Sequence, residues 1–349
     1  MIRGNIMRGL AVFGAIIAIA VGITFYAFQT TPASAPPGVL VRLQLQWFDQ
    51  AQFAGFYMAK QRGYYAAEGL NVEILPGGYA VRPVDVVESG RADFAIATGD
   101  QALIGIDQGK KVKIVGTVFN KSIACFMAHK SLAIATPRDF VGKTVGVYSG
   151  FDTENILKIL LKNSGVNEKD VDIRPAGSIA AFDHGDIQIW PSYRINEPLL
   201  ETARGQQVTC LKPEDFGVDY YSDSIITSSD YASNSQLVEK FLRASARGWE
   251  YAIAHPDDTI ETMLAMNLNF LPGEQSRAHQ MAMLQEVIRN LRSDTDNKVL
   301  TMDRGRWVRM VKLLQGIHAI SDDRDAKDIV DSAVNFSMAE SAVASGPPE

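Results

Sequence analysis

The spacing of apolar residues along this chain changes period several times, and those changes divide it. In Val39 to Trp47, apolar Val41, Leu43, Leu45 and Trp47 alternate with Arg42, Gln44 and Gln46, the period of a half-buried strand. Phe53, Phe56, Tyr57, Ala59 and Tyr64 then recur at helical spacing, with Gly63 near the stop. Leu70 to Leu75 alternates again and closes on Pro76-Gly77-Gly78. Strand, helix and strand in so short a stretch predict a βαβ unit with parallel strands. Its first strand end carries WFDQAQ, the place where open α/β sheets bind ligands. Trp47, Asp49, Gln50 and Gln52 offer a ring, a carboxylate and amides there, although each aromatic taken singly also suits core packing.

The pattern continues with a helix over Val81 to Ser89, a buried strand over Ala92 to Ala97, a helix opened by Thr98 or Asp100, and a strand over Val112 to Phe119. It restarts with strand Thr144 to Tyr148, turn Ser149 to Asp152, helix Thr153 to Asn163, and strands Val171 to Arg174 and Asp186 to Trp190. After Ser224 to Ser228, helical periods dominate, beginning with Ser235 to Ala254 behind an Asn234 cap. Two α/β units followed by helices predict two lobes and a cleft. Lobe one takes 39–126, lobe two 127–220, and lobe one resumes over 221–338 with the C-terminal helices. Two crossings make a hinge. Residues 339–349 are expected to be a disordered tail.

Composition adds bounds rather than a function. Hydrophobic content of 46% and charged content of 21% are ordinary for a globular chain, and 349 residues suffice for two lobes. A net charge of -6 gives no reason to expect nucleic acid as a partner. Cys125 and Cys210 match no metal spacing; a disulfide between them stays open, and two buried free thiols are the expectation. Arg3 and Arg8 precede the uncharged apolar run Leu10 to Phe28, so residues 1–30 read as a signal peptide or an N-terminal membrane anchor. The length of the run and Pro36 after Ala33-Ser34-Ala35 favour the anchor. The arginines stay cytoplasmic and the globular part lies across the membrane. Residues 31–38 form a Pro/Ala/Ser linker.

The run WFDQAQFAGFYMAKQRGYYAAEGLNVEILPGG resembles the opening of extracytoplasmic substrate-binding proteins of ABC importers. The similar subfamily is named for thiamine-pyrimidine precursors and is related to nitrate, sulfonate and taurine binders. SGRADFAIATGDQ, PRDFVGKTVGVYSG, WPSYRINEP and FLRASARGWEYAIAHPDD extend the resemblance over roughly residues 40 to 260. It implies a two-lobed periplasmic-binding-protein fold, type II-like, with a small-molecule ligand, a permease and its ATPase as partners, and neither cofactor nor metal. The same family name covers a fungal enzyme that makes the thiamine pyrimidine from pyridoxal phosphate and its own histidine. Its lysine and histidine correspond to Ala97 and Gln101 here, which disfavours a synthase. His129 and His184 have no obvious partner and read as structural or solvent-facing.

Four strand ends or turns should then meet in the cleft. Trp47, Asp49 and Gln52 come from the first, and Thr98, Gly99 and Asp100 from the third strand of lobe one. Ser149, Gly150 and Phe151 come from the first turn of lobe two, Trp190, Tyr193, Asn196 and Glu197 from its last, and Tyr221 from the return crossing. Each has a plainer alternative: Trp190 as packing, Asp100 as a helix cap, Glu197-Pro198 as a turn, Ser149-Gly150 as a turn or an anion site. No residue is expected to be catalytic. Asp49, Asp100 and Glu197 outweigh Arg82 and Arg194, which favours an amino-bearing heterocycle over a sulfonate or nitrate. The alternatives are a membrane-tethered sensory domain and, less well supported, a pyrimidine synthase.

Overall fold

The computed structural model describes residues 38–292 and 297–344. Its strands are β1 (Val39–Gln44), β2 (Leu70–Leu75), β3 (Phe94–Thr98), β4 (Val112–Thr117), β5 (Ala124–His129), β6 (Thr144–Val147), β7 (Asp172–Pro175), β8 (Ile189–Tyr193), β9 (Val208–Leu211) and β10 (Asp223–Ser228). They form two sheets, ordered β2-β1-β3-β10-β4 and β7-β6-β8-β5-β9. β1 pairs in parallel with β2, Val41 opposite Val72 and Leu43 opposite Ile74, as the βαβ reading required. In each sheet one strand is antiparallel to both neighbours: β10 between β3 and β4, and β5 between β8 and β9. These two strands follow the two crossings, so each lobe is closed by the strand that enters it.

Helix Ser235–Ala254 covers the first sheet. Asn234 Oδ1 accepts from the Leu237 N–H at 3.3 Å, as the capping pattern predicted. The helix lies against Ala54–Gln61 at backbone distance: a Cβ on Gly248 would fall 2.0 Å from the Gly55 carbonyl oxygen. Buried Tyr220 and Tyr221 join Trp307 and Met310 in a core that runs through the second crossing.

Several expectations are corrected. β5 starts at Ala124, so the first crossing lies before that residue and not at 127. The strand expected over Asp186 to Trp190 is β8, three residues later. Pro191 does not end it, because pairing with β6 is confined to Ile189 and the missing N–H leaves no ladder bond unmade on that side. Of the tail expected to be disordered, residues 339–344 continue helix Phe336–Ala344, with Ala339 and Ala342 buried, and 345–349 lie outside the described residues. Cys125 and Cys210 are not free thiols. They form a disulfide between β5 and β9 across a Cα separation of 5.7 Å. The apolar run Leu10 to Phe28 lies outside the described residues; among those described, no helix is long and apolar enough to cross a membrane.

Candidate functional site

Past β1 the chain leaves the sheet and turns toward the second lobe. The loop after β2 presses against it: the Gly77 N–H donates to the Trp47 carbonyl at 2.9 Å, and a Cβ on Gly77 would sit 2.4 Å from the Leu45 oxygen. A side chain there would push Trp47 out of place. Trp47 stands edge-on to Tyr79, with centroids 4.7 Å apart, and reaches across the cleft to Phe151 at 6.0 Å. Phe151 meets Tyr148, and Tyr148 meets Trp190, both at 6.0 Å. This aromatic line borders an interlobe cavity of about 310 Å³.

Of the residues expected in the cleft, Trp47, Gln52, Phe151, Trp190, Tyr193, Asn196 and Glu197 line this cavity. The others do not, and their bonds say why. Asp49 is consumed by the Tyr57 hydroxyl and the Asn269 N–H, the latter at 2.6 Å, so it fastens the loop to the C-terminal part. Thr98 Oγ1 donates to Asp100 Oδ1 at 2.6 Å, and Asp100 Oδ2 accepts from Asn155 Nδ2 of the other lobe at 2.8 Å. The Gly99 N–H donates to the Ser222 carbonyl at 3.1 Å, and a Cβ there would meet Met310 Cε at 2.9 Å. Ser149 and Gly150 form a turn, Gly150 having φ 80°, and the Gly150 N–H is taken by Glu154 Oε2 at 3.0 Å. That occupied amide removes the anion-site reading. The Tyr221 ring rests on Trp307 at 4.7 Å, and its hydroxyl accepts from the Asp303 N–H at 2.8 Å.

Gln50, offered with Trp47 at the first strand end, lines the cavity too, and so do residues that the sequence pattern does not mark as site residues: Gln46, Tyr79, Tyr148, Asp152, Glu201, Arg204 and Glu274. Gln46 directly precedes Trp47 at the strand end already singled out, so its place beside the cleft is readable. The sequence pattern places Asp152 in a turn, whereas it opens helix Asp152–Asn163 and lines the cavity. Glu274 lies in a loop before helix Arg277–Leu291, and no local pattern marks it.

On the lobe-one wall, buried Asp223 accepts from Gln46 Nε2 at 2.5 Å and from Gln52 Nε2 at 2.8 Å. Gln52 Oε1 accepts from Gln50 Nε2 at 2.5 Å, which leaves Gln50 Oε1 as a buried acceptor with no donor. On the lobe-two wall, Asp152 Oδ1 accepts from the Tyr193 hydroxyl at 3.0 Å and Oδ2 has no partner. Burial, then the charge of Asp100, pushes the Asp152 carboxyl well up. Glu197 Oε2 accepts from the Tyr193 N–H at 3.0 Å; the residue is half-buried as a whole, its carboxyl end is enclosed, and burial pushes it up to about 7. Glu274 is also raised by burial. Arg204, the one arginine of the lining among the described residues, is paired with Glu201 at 2.8 Å. Arg82 and Arg194 lie outside the lining: Arg82 donates to the Tyr79 carbonyl at 3.0 Å, and Arg194 is held by Glu214 and by Asn290 at 2.8 Å.

These walls can stack a flat ring and accept hydrogen bonds from its edge, and they have little with which to receive an anion.

Comparison with known proteins agrees with a two-lobed binding architecture. The chain is 30% identical over 277 residues to the riboflavin-binding protein RibY of Chloroflexus aurantiacus, covering 74% of this chain and 78% of that one. It is 26% identical over 287 residues to the formylaminopyrimidine-binding protein of Halalkalibacterium halodurans, covering 79% and 86%. More distant relatives are named 4-amino-5-hydroxymethyl-2-methylpyrimidine phosphate synthase. The alkanesulfonate-binding protein SsuA of Xanthomonas axonopodis pv. citri superposes with a TM-score of 0.65 at 17% identity, over 87% of this chain and 99% of that one. The fold is thus the two-lobed α/β fold of periplasmic binding proteins. A model described as NMT1/THI5 like matches residues 50–259, and the chain belongs to that family.

Proposed function

We propose that this protein is the extracytoplasmic solute-binding component of an ABC import system, and that its cleft captures a small amino-bearing heterocycle of the thiamine-pyrimidine-precursor kind. It performs no chemistry on the cargo and hands it to a membrane permease. The carrying observation is the lining itself: an aromatic line from Tyr79 to Trp190, with Asp152, Glu197 and Glu274 facing the same space and the single arginine already paired. Burying an acidic wall of this kind is costly, and a ligand with N–H donors or a positive charge offsets that cost. A sulfonate would add to it.

A disulfide within lobe two and the apolar run Leu10 to Phe28 both support a position outside the cytoplasm. The synthase reading finds less support. Ala97 and Gln101 stand where the resemblance would need a lysine and a histidine, Ala97 is buried in β3, and among the described residues no lysine lines the cavity. A membrane-tethered sensory domain would use the same cleft. A permease and an ATPase encoded beside it, and uptake lost on deletion, would separate transport from sensing.

A thermal-shift screen of aminopyrimidines, thiamine, purines, riboflavin and sulfonates tests the proposal. Amino-bearing heterocycles should raise the melting temperature and sulfonates should not; stabilisation by sulfonates alone would overturn it. Trp47→Ala should weaken the best ligand by roughly tenfold or more, from the lost ring contact and buried area.

A further inference from the structure

Glu274 lies outside the matched residues 50–259, in the loop that precedes helix Arg277–Leu291. Met283, Leu284 and Val287 of this helix are buried in the core that also holds the first sheet, so the loop moves with lobe one. The Glu274 carbonyl accepts from Gln280 Nε2 at 2.8 Å, and Gln280 Oε1 accepts from the Ala51 N–H at 2.7 Å, which ties the loop to the Trp47 segment. The side chain points the other way. Its Oε1 accepts from Asn196 Nδ2 of lobe two at 3.1 Å.

Asn196 is itself held in one orientation. With its amide nitrogen donating to Glu274, its oxygen faces His279 Nε2 at 2.9 Å. That oxygen is an acceptor, so His279 carries its proton on Nε2. Burial holds the His279 imidazole below its ordinary value and therefore neutral. The remaining oxygen of Glu274, Oε2, is buried and has no hydrogen-bond partner, although the residue is 6% exposed and lines the cavity. A buried acceptor left without a donor is unfavourable, and a ligand N–H is the donor the cleft lacks.

We infer that Glu274 determines specificity in this cleft and couples it to lobe closure: Oε1 holds Asn196 of the opposite lobe while Oε2 receives an N–H donor from the amino edge of the ligand ring. This rests on the binding reading above. The Asn196 bond spans the two lobes, so it forms only when they meet. A donor on Oε2 fixes the same carboxylate in the same place. Closure adds the Asn196 hold on Oε1, so a ligand donor meets a fixed Oε2 in the closed arrangement and an unheld one in the open. That difference is the condition for a ligand to shift the equilibrium. A ring bearing a carbonyl at that edge would set two acceptors against each other and lose the advantage.

The test compares amino and oxo partners of the same ring: 4-amino-5-hydroxymethyl-2-methylpyrimidine against its 4-oxo analogue, and adenine against hypoxanthine. Calorimetry is run on wild type, Glu274→Gln and Glu274→Asp, with an interlobe distance read by paired spin labels. Wild type should prefer the amino member of the pair it binds. Glu274→Gln keeps an acceptor for Asn196 and replaces the other oxygen with a donor. Its affinity for the amino ligand should fall roughly 10- to 100-fold, the preference should narrow or invert, and the liganded lobes should close less completely. Glu274→Asp keeps the charge and withdraws it by one methylene, so it should bind more weakly with the preference retained. An unchanged preference and unchanged closure in Glu274→Gln, with wild type binding, would overturn this assignment and leave the binding reading standing. Should Glu274→Gln fail to fold, loss of the amino preference in Glu274→Asp would overturn it. Wild type binding no heterocycle of the wider panel would overturn the binding reading, and this assignment with it.

Discussion

The two lobes share one plan of strands and reach stability by different means. Each sheet has the parallel strands at one side and a crossing strand, β10 or β5, set antiparallel between two others. Lobe one is covered by the 20-residue helix Ser235–Ala254, which approaches Ala54–Gln61 closely enough to exclude any side chain at Gly55 or Gly248. Lobe two has shorter helices, Asp152–Asn163 and Glu197–Ala203, and a disulfide. Its Cys125–Cys210 bond joins β5 to β9 and adds a covalent constraint to that sheet. The cleft walls differ in the same way. Lobe one presents amides oriented by buried Asp223, whereas lobe two presents Asp152, Glu197 and Glu201. Lobe one adds Glu274 from the loop before helix Arg277–Leu291, so acceptors face the cavity from both sides.

The comparison can be broken from either side. Gly248→Val should be the most damaging change, because its Cβ would stand 2.0 Å from the Gly55 oxygen and two helix backbones would have to part. Its cost should exceed the roughly 1–3 kcal/mol typical of overpacking. Soluble, natively melting protein from this variant would show that the close approach is dispensable. Next in size, Cys125→Ser with Cys210→Ser removes a link across 85 residues and should lower stability by about 4 kcal/mol. Hydrogen exchange should rise first in β5 and β9. A loss spread evenly over both lobes would refute the view that the bond serves lobe two.

A smaller effect concerns pH. Burial raises Asp223 from 3.8 to about 7, so the native carboxyl keeps a proton that the unfolded chain has already released. Stability from this group is full below about pH 4 and is lost as pH rises to about 7 and above. From pH 5 to pH 8 the loss should be about 2.5 kcal/mol. Glu197, raised to about 7 by burial, acts in the same direction. Denaturant melts of ligand-free protein should show the decline, and Asp223→Asn should remove its own share of it, about 2.5 kcal/mol between pH 5 and pH 8, leaving the share of Glu197. Equal stability at both pH values in wild type would contradict the view that burial of Asp223 outweighs its two amide hydrogen bonds.

Elements with a strong period were legible. The βαβ opening, helix Asp152–Asn163 and helix Ser235–Ala254 were readable because one face of each had to be apolar and their caps or glycines lay where the period ended. β5 was missed because ACFMAH is buried on both faces and has no alternation. β8 runs three residues later than the apolar pattern of DIQIW suggests, because its pairing with β5 carries it through Pro191 to Tyr193. The site was half legible for a similar reason. Trp47 and Glu197 lie on strand ends that local pattern can locate. Asp49, Thr98, Asp100 and Tyr221 lie on such ends too, but their polar groups are used by Tyr57, Asn155 and Asp303, which are partners that no local pattern reveals.

Sequence alone therefore determined the two-lobed α/β plan, the double crossing and the aromatic strand end at Trp47, because each follows from periodicity within a dozen neighbouring residues. Tertiary structure decided which polar groups remain free to meet a ligand. Asp49 and Glu274 show the difference: both are carboxylates in loops, yet one has both oxygens occupied and the other keeps one bare inside the cleft. A hydrogen bond between residues hundreds of positions apart in the chain depends on packing, and packing exists only once both lobes have folded against each other.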